Sequence, residues 1–116
     1  MAAEIAVVPS PDAVLVAACG AARAAVAAYN AEAEKAEPGD DLATLFERER
    51  LALECVAVTS ARTARGVAAK AALRADYAAA TDGCKPSHEM ARVAFSLAED
   101  AVALAREIVG TGAPRA

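Results

Sequence analysis

Residues 59–73 read TSARTARGVAAKAAL, and this stretch decides how the helical parts of the chain are divided. It begins with Thr59, Ser60 and Thr63, whose hydroxyl groups compete for backbone hydrogen bonds and so weaken a helix. Thr63 is also well placed to cap a new helix that starts at the next residue. The stretch therefore predicts helix on both sides of residues 60–63, and it leaves open whether the helix bends there or breaks.

The composition of the 116 residues favours an all-α protein of one domain. Ala, the strongest helix former, occurs 36 times, and no run alternates apolar with polar residues over five or more positions. Trp is absent and Phe and Tyr occur twice each, so the core must be built from small side chains. A partner could bury the apolar surface that such a thin core leaves exposed.

The first half of the chain predicts a helical hairpin. Helix 1 can begin at Ser10 or Asp12, and it should fade near Glu37 because Pro38-Gly39 breaks helices. Helix 2 should begin near Asp41 after a loop of about three residues, which favours an antiparallel pair. The expected buried positions are Leu15, Cys19, Ala22, Val26, Tyr29 and Ala33, then Leu42, Leu45, Phe46, Leu53, Val56 and Ala57. Residues 47–50 are expected to form a mostly solvated face.

The second half predicts two further helices packed on the hairpin. Helix 3 should run to about Ala80, and Ser87 should cap helix 4, which Gly110 should end. Their expected inward positions are Val67, Leu73 and Tyr77, then Met90, Ala94, Leu97, Ala101, Leu104 and Ile108, with Val93, Val102 and Val109 broadening the last stripe. The domain boundaries predicted are an irregular arm over 1–11, a helical domain over 12–110 and a frayed tail over 111–116.

Charge and cysteine content point to a cytoplasmic protein that does not bind nucleic acid nonspecifically. The net charge is −4, whereas nonspecific nucleic-acid binding normally needs a dominant basic face. The first eight residues lack the pattern of a signal peptide, and no segment is expected to span a membrane. Three cysteines, an odd number, fit reduced thiols better than disulfides.

Four basic residues, Arg62, Arg65, Lys70 and Arg74, form the candidate contact surface for nucleic acid or a protein partner. About three of them can share one side of helix 3. Helix 3 offers mostly Ala where a DNA-reading helix carries polar side chains, which argues against base recognition. The preferred interpretation is that these bases complement the acidic region 32–54, within one chain or between chains.

Cys84 is the candidate reactive thiol, because it lies beside Lys85 and shortly before a helix. With His88 and the other two cysteines it could also form a zinc site, but the chain has no Cys-x-x-Cys and Pro86 separates Cys84 from His88. Cys19 and Cys55 occupy apolar helical positions and are expected to be buried. We expect no metal and no cofactor.

Two pairs of carboxylates could in principle perform acid–base chemistry, but their positions do not support it. Glu47 with Glu49, and Glu99 with Asp100, do not share a helix face. The sequence also contains no phosphate-binding loop and no dinucleotide fingerprint. An enzyme is therefore not expected.

The segment TSARTARGVAAKAAL, preceded by LFERERLALECV and by the loop EPGDD, resembles a group of small uncharacterised helical proteins of alphaproteobacterial genomes, often encoded near prophage genes. The resemblance spans roughly residues 12–75. In that group a helical hairpin is followed by a Thr-rich turn and then a Gly and a Lys that open a third helix, and Thr63, Gly66 and Lys70 match these positions. Ser60 stands where the group usually has Pro. The resemblance implies a fold but no activity.

The sequence thus predicts an interaction or structural module that works through its helix faces and associates with itself or with another helical protein. The alternative is a small regulator that binds nucleic acid through its basic segment 62–74.

Overall fold

The computed structural model describes residues 11–35, 37–39, 41–81 and 87–112. Within them the chain forms four α-helices and no strand: α1 Ala13–Ala33, α2 Leu42–Val58, α3 Ala64–Thr81 and α4 His88–Gly112. The all-α prediction with four helices is confirmed. The predicted arm falls outside the described residues except for its last residue, and Cys84 with its loop lies outside them as well.

The helices pack as a bundle in which each helix touches two neighbours. Helix α1 packs against α2 and α3, and α4 packs against the same two helices from the other side. Tyr29, near the end of α1, meets Phe46, near the start of α2, with ring centroids 5.7 Å apart, as the antiparallel hairpin requires. The core contains Leu15, Cys19, Ala22, Val26, Leu53, Val56, Ala61, Leu73, Tyr77, Met90 and Val93.

Helices α2 and α3 are separated by a true break, which answers the question that the sequence left open. Thr59 has extended backbone angles, φ −103° and ψ 113°, and α3 begins only at Ala64. Thr63 caps α3 as predicted, since the Gly66 N–H donates to its Oγ1 at 3.3 Å. Ser87 caps α4 in the same way, through the Met90 N–H at 3.1 Å. Residues 59–63 are called the junction below.

Two predicted helix ends are wrong. Helix α1 ends at Ala33, so the loop to α2 covers residues 34–41 instead of about three residues. In this loop the Glu32 carboxylate accepts hydrogen bonds from the Gly39 N–H at 2.6 Å and from Lys35 Nζ at 2.9 Å. Helix α4 continues through Gly110 to Gly112, because a solvent-exposed glycine weakens a helix without stopping it.

Several burial predictions also need correction. Phe46 and Cys55 are exposed, whereas Glu49, predicted to be solvated, retains only 7% of its accessible surface. Ala33 at the end of α1 is exposed, and so are four of the positions expected to face inward on α4: Ala101, Val102, Ile108 and Val109. Only the inner positions of α4 contact the rest of the bundle, so its apolar residues divide into a buried and an exposed set.

Helix α1 is long and apolar enough to cross a membrane, contrary to the expectation from the sequence. Its most apolar 18-residue window has a mean hydropathy of 1.4, and 28% of that window is buried in the bundle. Much of this hydropathy comes from Ala, and its buried residues Leu15, Cys19 and Val26 belong to the shared core. A core helix of a soluble protein satisfies the same criterion.

Candidate functional site

Lys70 lies inside the bundle, so it is not part of a basic surface. Its side chain is fully buried, and its Nζ donates to Asp100 Oδ2 at 2.5 Å and to Ser96 Oγ at 3.1 Å. The prediction that Lys70 belongs to an exposed nucleic-acid or partner contact is therefore wrong. Its counterion is also an acid of α4, and not one from the region 32–54 as the sequence suggested.

Asp100 joins α4 to the junction as well as to α3. The carboxylate oxygen that pairs with Lys70 also accepts the backbone N–H of Ala61 at 2.9 Å. Asp100 retains 7% of its accessible surface, so these contacts form largely away from water. A buried charge is tolerated only when it is paired and hydrogen-bonded, and here both conditions are met.

Asp12 holds the other side of the junction. It precedes α1 but makes no side-chain cap to that helix, contrary to the role predicted for it. Its carboxylate accepts from the amides of Arg62 at 3.0 Å and Thr63 at 2.8 Å, and from Thr63 Oγ1 at 2.6 Å. A negative charge at this place also complements the positive end of α3. Asp12, which precedes α1, therefore caps the start of α3, and the Arg62 amide that it binds lies 50 residues further along the same chain.

The ionised form of Asp12 is favoured in the folded protein. Burial opposes its ionisation, but the hydrogen bonds from Thr63 and from the amides of Arg62, Thr63 and Gly66 outweigh burial and hold the pKa of this carboxyl below its usual value. Stability from this group is therefore present above its unfolded pKa and is lost as the pH falls through the lower folded pKa.

Gly66 is buried where the Asp12 carboxylate approaches α3. A Cβ built on Gly66 would overlap Asp12 Oδ2 and would lie 2.7 Å from Asp12 Cγ and 3.0 Å from the Ala61 side chain. Only glycine leaves room for the cap at this position. The Thr, Gly and Lys that the sequence singled out thus belong to two hydrogen-bonded groups that meet at the junction: Asp12 with Thr63 beside Gly66, and Lys70 with Asp100. We call the two groups together the buried polar network.

The three remaining members of the basic segment do lie at the surface. Arg62, Arg65 and Arg74 are exposed, and they come from the junction and from two different turns of α3. Arg62 borders an open groove together with Leu104 and Glu107 of α4. Without Lys70 these residues do not form a continuous basic stripe.

Glu49 is a buried carboxylate whose Oε1 has no hydrogen-bond partner within the described residues. Burial raises the pKa of Glu49, and the nearby negative charge of Glu89 raises it further. Glu49 therefore costs stability when it is ionised, unlike Asp12.

We predict that Glu49→Gln stabilises the protein by about 1 kcal/mol at pH 7, since it removes a buried, poorly solvated charge. A folded pKa above the unfolded value of 4.5 means that the wild type loses stability as the pH rises from that value through the folded pKa. The gain should therefore disappear below pH 4.5. Urea unfolding of the wild type and the variant, at pH 7 and below pH 4.5, measures this gain in stability.

Glu47→Gln is the matched control, because Glu47 is exposed and pairs with Arg50 at 2.6 Å. This substitution should change stability only slightly and in the unfavourable direction. An equal effect of the two substitutions at pH 7 would contradict the assignment of a penalty to Glu49.

The described residues offer no metal site, since they contain no group of three or more His, Cys, Asp or Glu side chains that could share an ion. Burial raises the pKa of the Cys19 thiol, which keeps it protonated and unreactive. Cys55 is free and exposed. The thiol and zinc hypotheses for Cys84 fall outside the described residues.

Helix α4 carries four of the eight large hydrophobic residues that are exposed within the described part of the chain, namely Phe95, Val102, Ile108 and Val109. Five exposed residues follow one another in steps of three and four, and we call them the outer stripe: Phe95, Ala98, Val102, Ala105 and Val109. The three large members retain 67%, 48% and 67% of their accessible surface, respectively. By contrast, the exposed Val14, Phe46, Leu51 and Val58 are spread over two other helices.

Comparison of the chain with protein-family models, with curated proteins and with solved structures finds no match. Functional inference therefore depends on the buried polar network and on the outer stripe alone.

Proposed function

We propose that the protein is a non-enzymatic interaction module that packs a helical partner, a second copy or another helical protein, against the outer stripe of α4. The observation that carries this proposal is the stripe itself, a row of exposed apolar side chains at the spacing of a helix–helix seam. Exposed apolar surface of this kind marks interaction sites, because soluble proteins otherwise keep such surface small.

The arrangement of polar groups supports a structural role for the rest of the molecule. Asp12 and Asp100 are occupied by hydrogen bonds that fix the junction, so neither carboxylate is available for proton transfer. Lys70 is held in the same network. Because Lys70 is buried, it cannot contribute to a nucleic-acid surface. No contact in the described part of the chain favours the nucleic-acid alternative.

A photoreactive benzoylphenylalanine at Val102 tests the proposal in cells that produce the full chain. We expect one discrete covalent adduct after irradiation, and none from the same probe at Ala72, an exposed residue of α3. The Val102 adduct should disappear when Phe95→Lys is added, and it should persist with the control Leu51→Lys on α2. The absence of an adduct at Val102 would contradict the proposal.

A further inference from the structure

The two sides of α4 are specialised for different contacts. Met90, Val93 and Asp100 on the inner side are buried in the bundle, while the outer stripe lies on the opposite side of the same helix. Because the polar network fixes Asp100 to α3 and the junction, α4 cannot rotate to bury the outer stripe within its own chain. No residue that the structure describes covers this stripe.

The outer stripe alternates large and small side chains. Phe95, Val102 and Val109 are large, whereas the intervening Ala98 and Ala105 are small. In a parallel pair of such helices, identical residues face each other, which gives alternating wide and narrow layers. In an antiparallel pair Val102 packs on the partner's Ala105 and Val109 packs on the partner's Ala98, so each valine meets a small residue, and Phe95 lies beyond these layers at the end of the stripe. The stripe therefore fits an antiparallel copy of itself with even layers.

Three charges flank the stripe on one side, because Arg92, Glu99 and Arg106 are exposed and follow one another at seven-residue spacing. Glu99 and Arg106 border the shallow groove that runs along this side of α4, whereas Arg92 lies 3.9 Å from Glu54 of α2. In the antiparallel arrangement Glu99 lies opposite the partner's Arg106, and by symmetry the pair occurs twice. The other flank carries Ala101 and Ile108, both exposed and apolar, which meet in the same way.

The charges also select this register over its neighbours. A slip by seven residues in one direction places Glu99 opposite the partner's Glu99, and a slip in the other direction places Arg106 opposite the partner's Arg106. Both alternatives juxtapose like charges, which disfavours them. In a parallel pair Glu99 and Arg106 would face alanines instead, so the charges would contribute nothing.

From this complementarity we infer that the partner of the outer stripe is a second copy of this chain, with the two α4 helices antiparallel and the two-fold axis passing between Val102 and Ala105. The inference rests on the proposed function, and it specifies the partner and the register. The large–small layers bring the helices close, and the paired Glu99 and Arg106 charges fix their orientation.

Charge reversal tests the register. Glu99→Arg places arginine at both positions 99 and 106, and Arg106→Glu places glutamate at both. We expect each variant alone to dimerise about ten- to thirtyfold more weakly than the wild type, since two attractive pairs become repulsive. An equimolar mixture should recover the wild-type affinity, because every charge in the mixed dimer faces its opposite. Sedimentation equilibrium of the full chains at low salt measures all three.

Recovery in the mixture also serves as the folding control, because a misfolded variant cannot restore affinity to its partner. The double variant Glu99→Arg with Arg106→Glu should dimerise like the wild type for the same reason. A wild-type dimer that is insensitive to both reversals would overturn the proposed register, and a wild type that stays monomeric at tens of micromolar would overturn the second copy as partner.

The Val102 photoadduct separates this inference from the proposed function. An adduct with twice the mass of the chain supports both the proposed function and the second copy as partner. A single adduct of another mass, abolished by Phe95→Lys, overturns the second copy as partner and leaves the interaction module standing. No adduct at all overturns both.

Discussion

Asp100→Ala should reduce the free energy of unfolding by about 3–5 kcal/mol, since it leaves the buried Lys70 ammonium without its counterion. The same substitution removes the acceptor of the Ala61 N–H and leaves the Lys70 ammonium with only the neutral Ser96 hydroxyl. Chemical denaturation followed by circular dichroism, at one fixed protein concentration, measures the loss.

Asp76→Ala provides the matched control for this prediction. Asp76 pairs with Arg23 at 2.6 Å, but both side chains are about half exposed, and such pairs contribute less than about 1 kcal/mol. Equal losses for the two Asp→Ala substitutions would contradict the role assigned to Asp100.

A double variant keeps the prediction measurable if Asp100→Ala does not fold. Lys70→Met with Asp100→Asn replaces the buried ammonium with an apolar chain and retains an oxygen for the Ala61 N–H. Removal of both charges should recover most of the stability that Asp100→Ala loses, because the cost of Asp100→Ala comes mainly from the unpaired ammonium.

Gly66→Ala should destabilise the protein by about 3 kcal/mol, although Ala normally strengthens a helix. The new methyl group would occupy the space of the Asp12 carboxylate, so Asp12 must move and give up hydrogen bonds to the start of α3. Thermal and urea unfolding of the variant measure the effect.

Gly20→Ala is the control for the helix propensity of alanine. Gly20 is exposed in α1, and a Cβ there meets no atom within 4 Å. This substitution should therefore stabilise the protein by up to about 1 kcal/mol. If Gly66→Ala also stabilised the protein, the close approach of Asp12 to α3 would be wrong.

The features predicted correctly from sequence are those encoded within a few residues. The Thr63 and Ser87 caps each bind an amide three residues ahead, so a local pattern is sufficient to find them. The role of Asp12 could not be found in this way, because its partners lie about 50 residues away and no local signal connects them.

The burial of Lys70 and Asp100 can be predicted from their positions on the helices, although their residue types favour the surface. Gly66, Lys70, Leu73 and Tyr77 follow one another in steps of four, three and four, so Lys70 belongs to the buried side of α3. Asp100 likewise falls on the buried side of α4. A basic and an acidic residue on two apolar helix faces are a signal for a buried ion pair.

The outer stripe was also present in the sequence. The apolar pattern of α4 predicts one broad inward face, whereas the structure divides these residues between two sides of the helix. Composition alone could not separate them, because Ala occurs on both sides. The position of Asp100 decides which side faces the bundle.

The buried polar network has a consequence for how this chain avoids alternative folds. Faces lined mainly by alanine look alike from one turn to the next, so an Ala-rich helix could slide along its neighbour at little cost in apolar contact. Hydrogen bonds are directional, and Asp12 and Asp100 meet their donors in only one alignment of the first and last helices with the junction. The main effect of the two carboxylates is therefore to select one alignment of the Ala-rich helices over other alignments with similar apolar contacts.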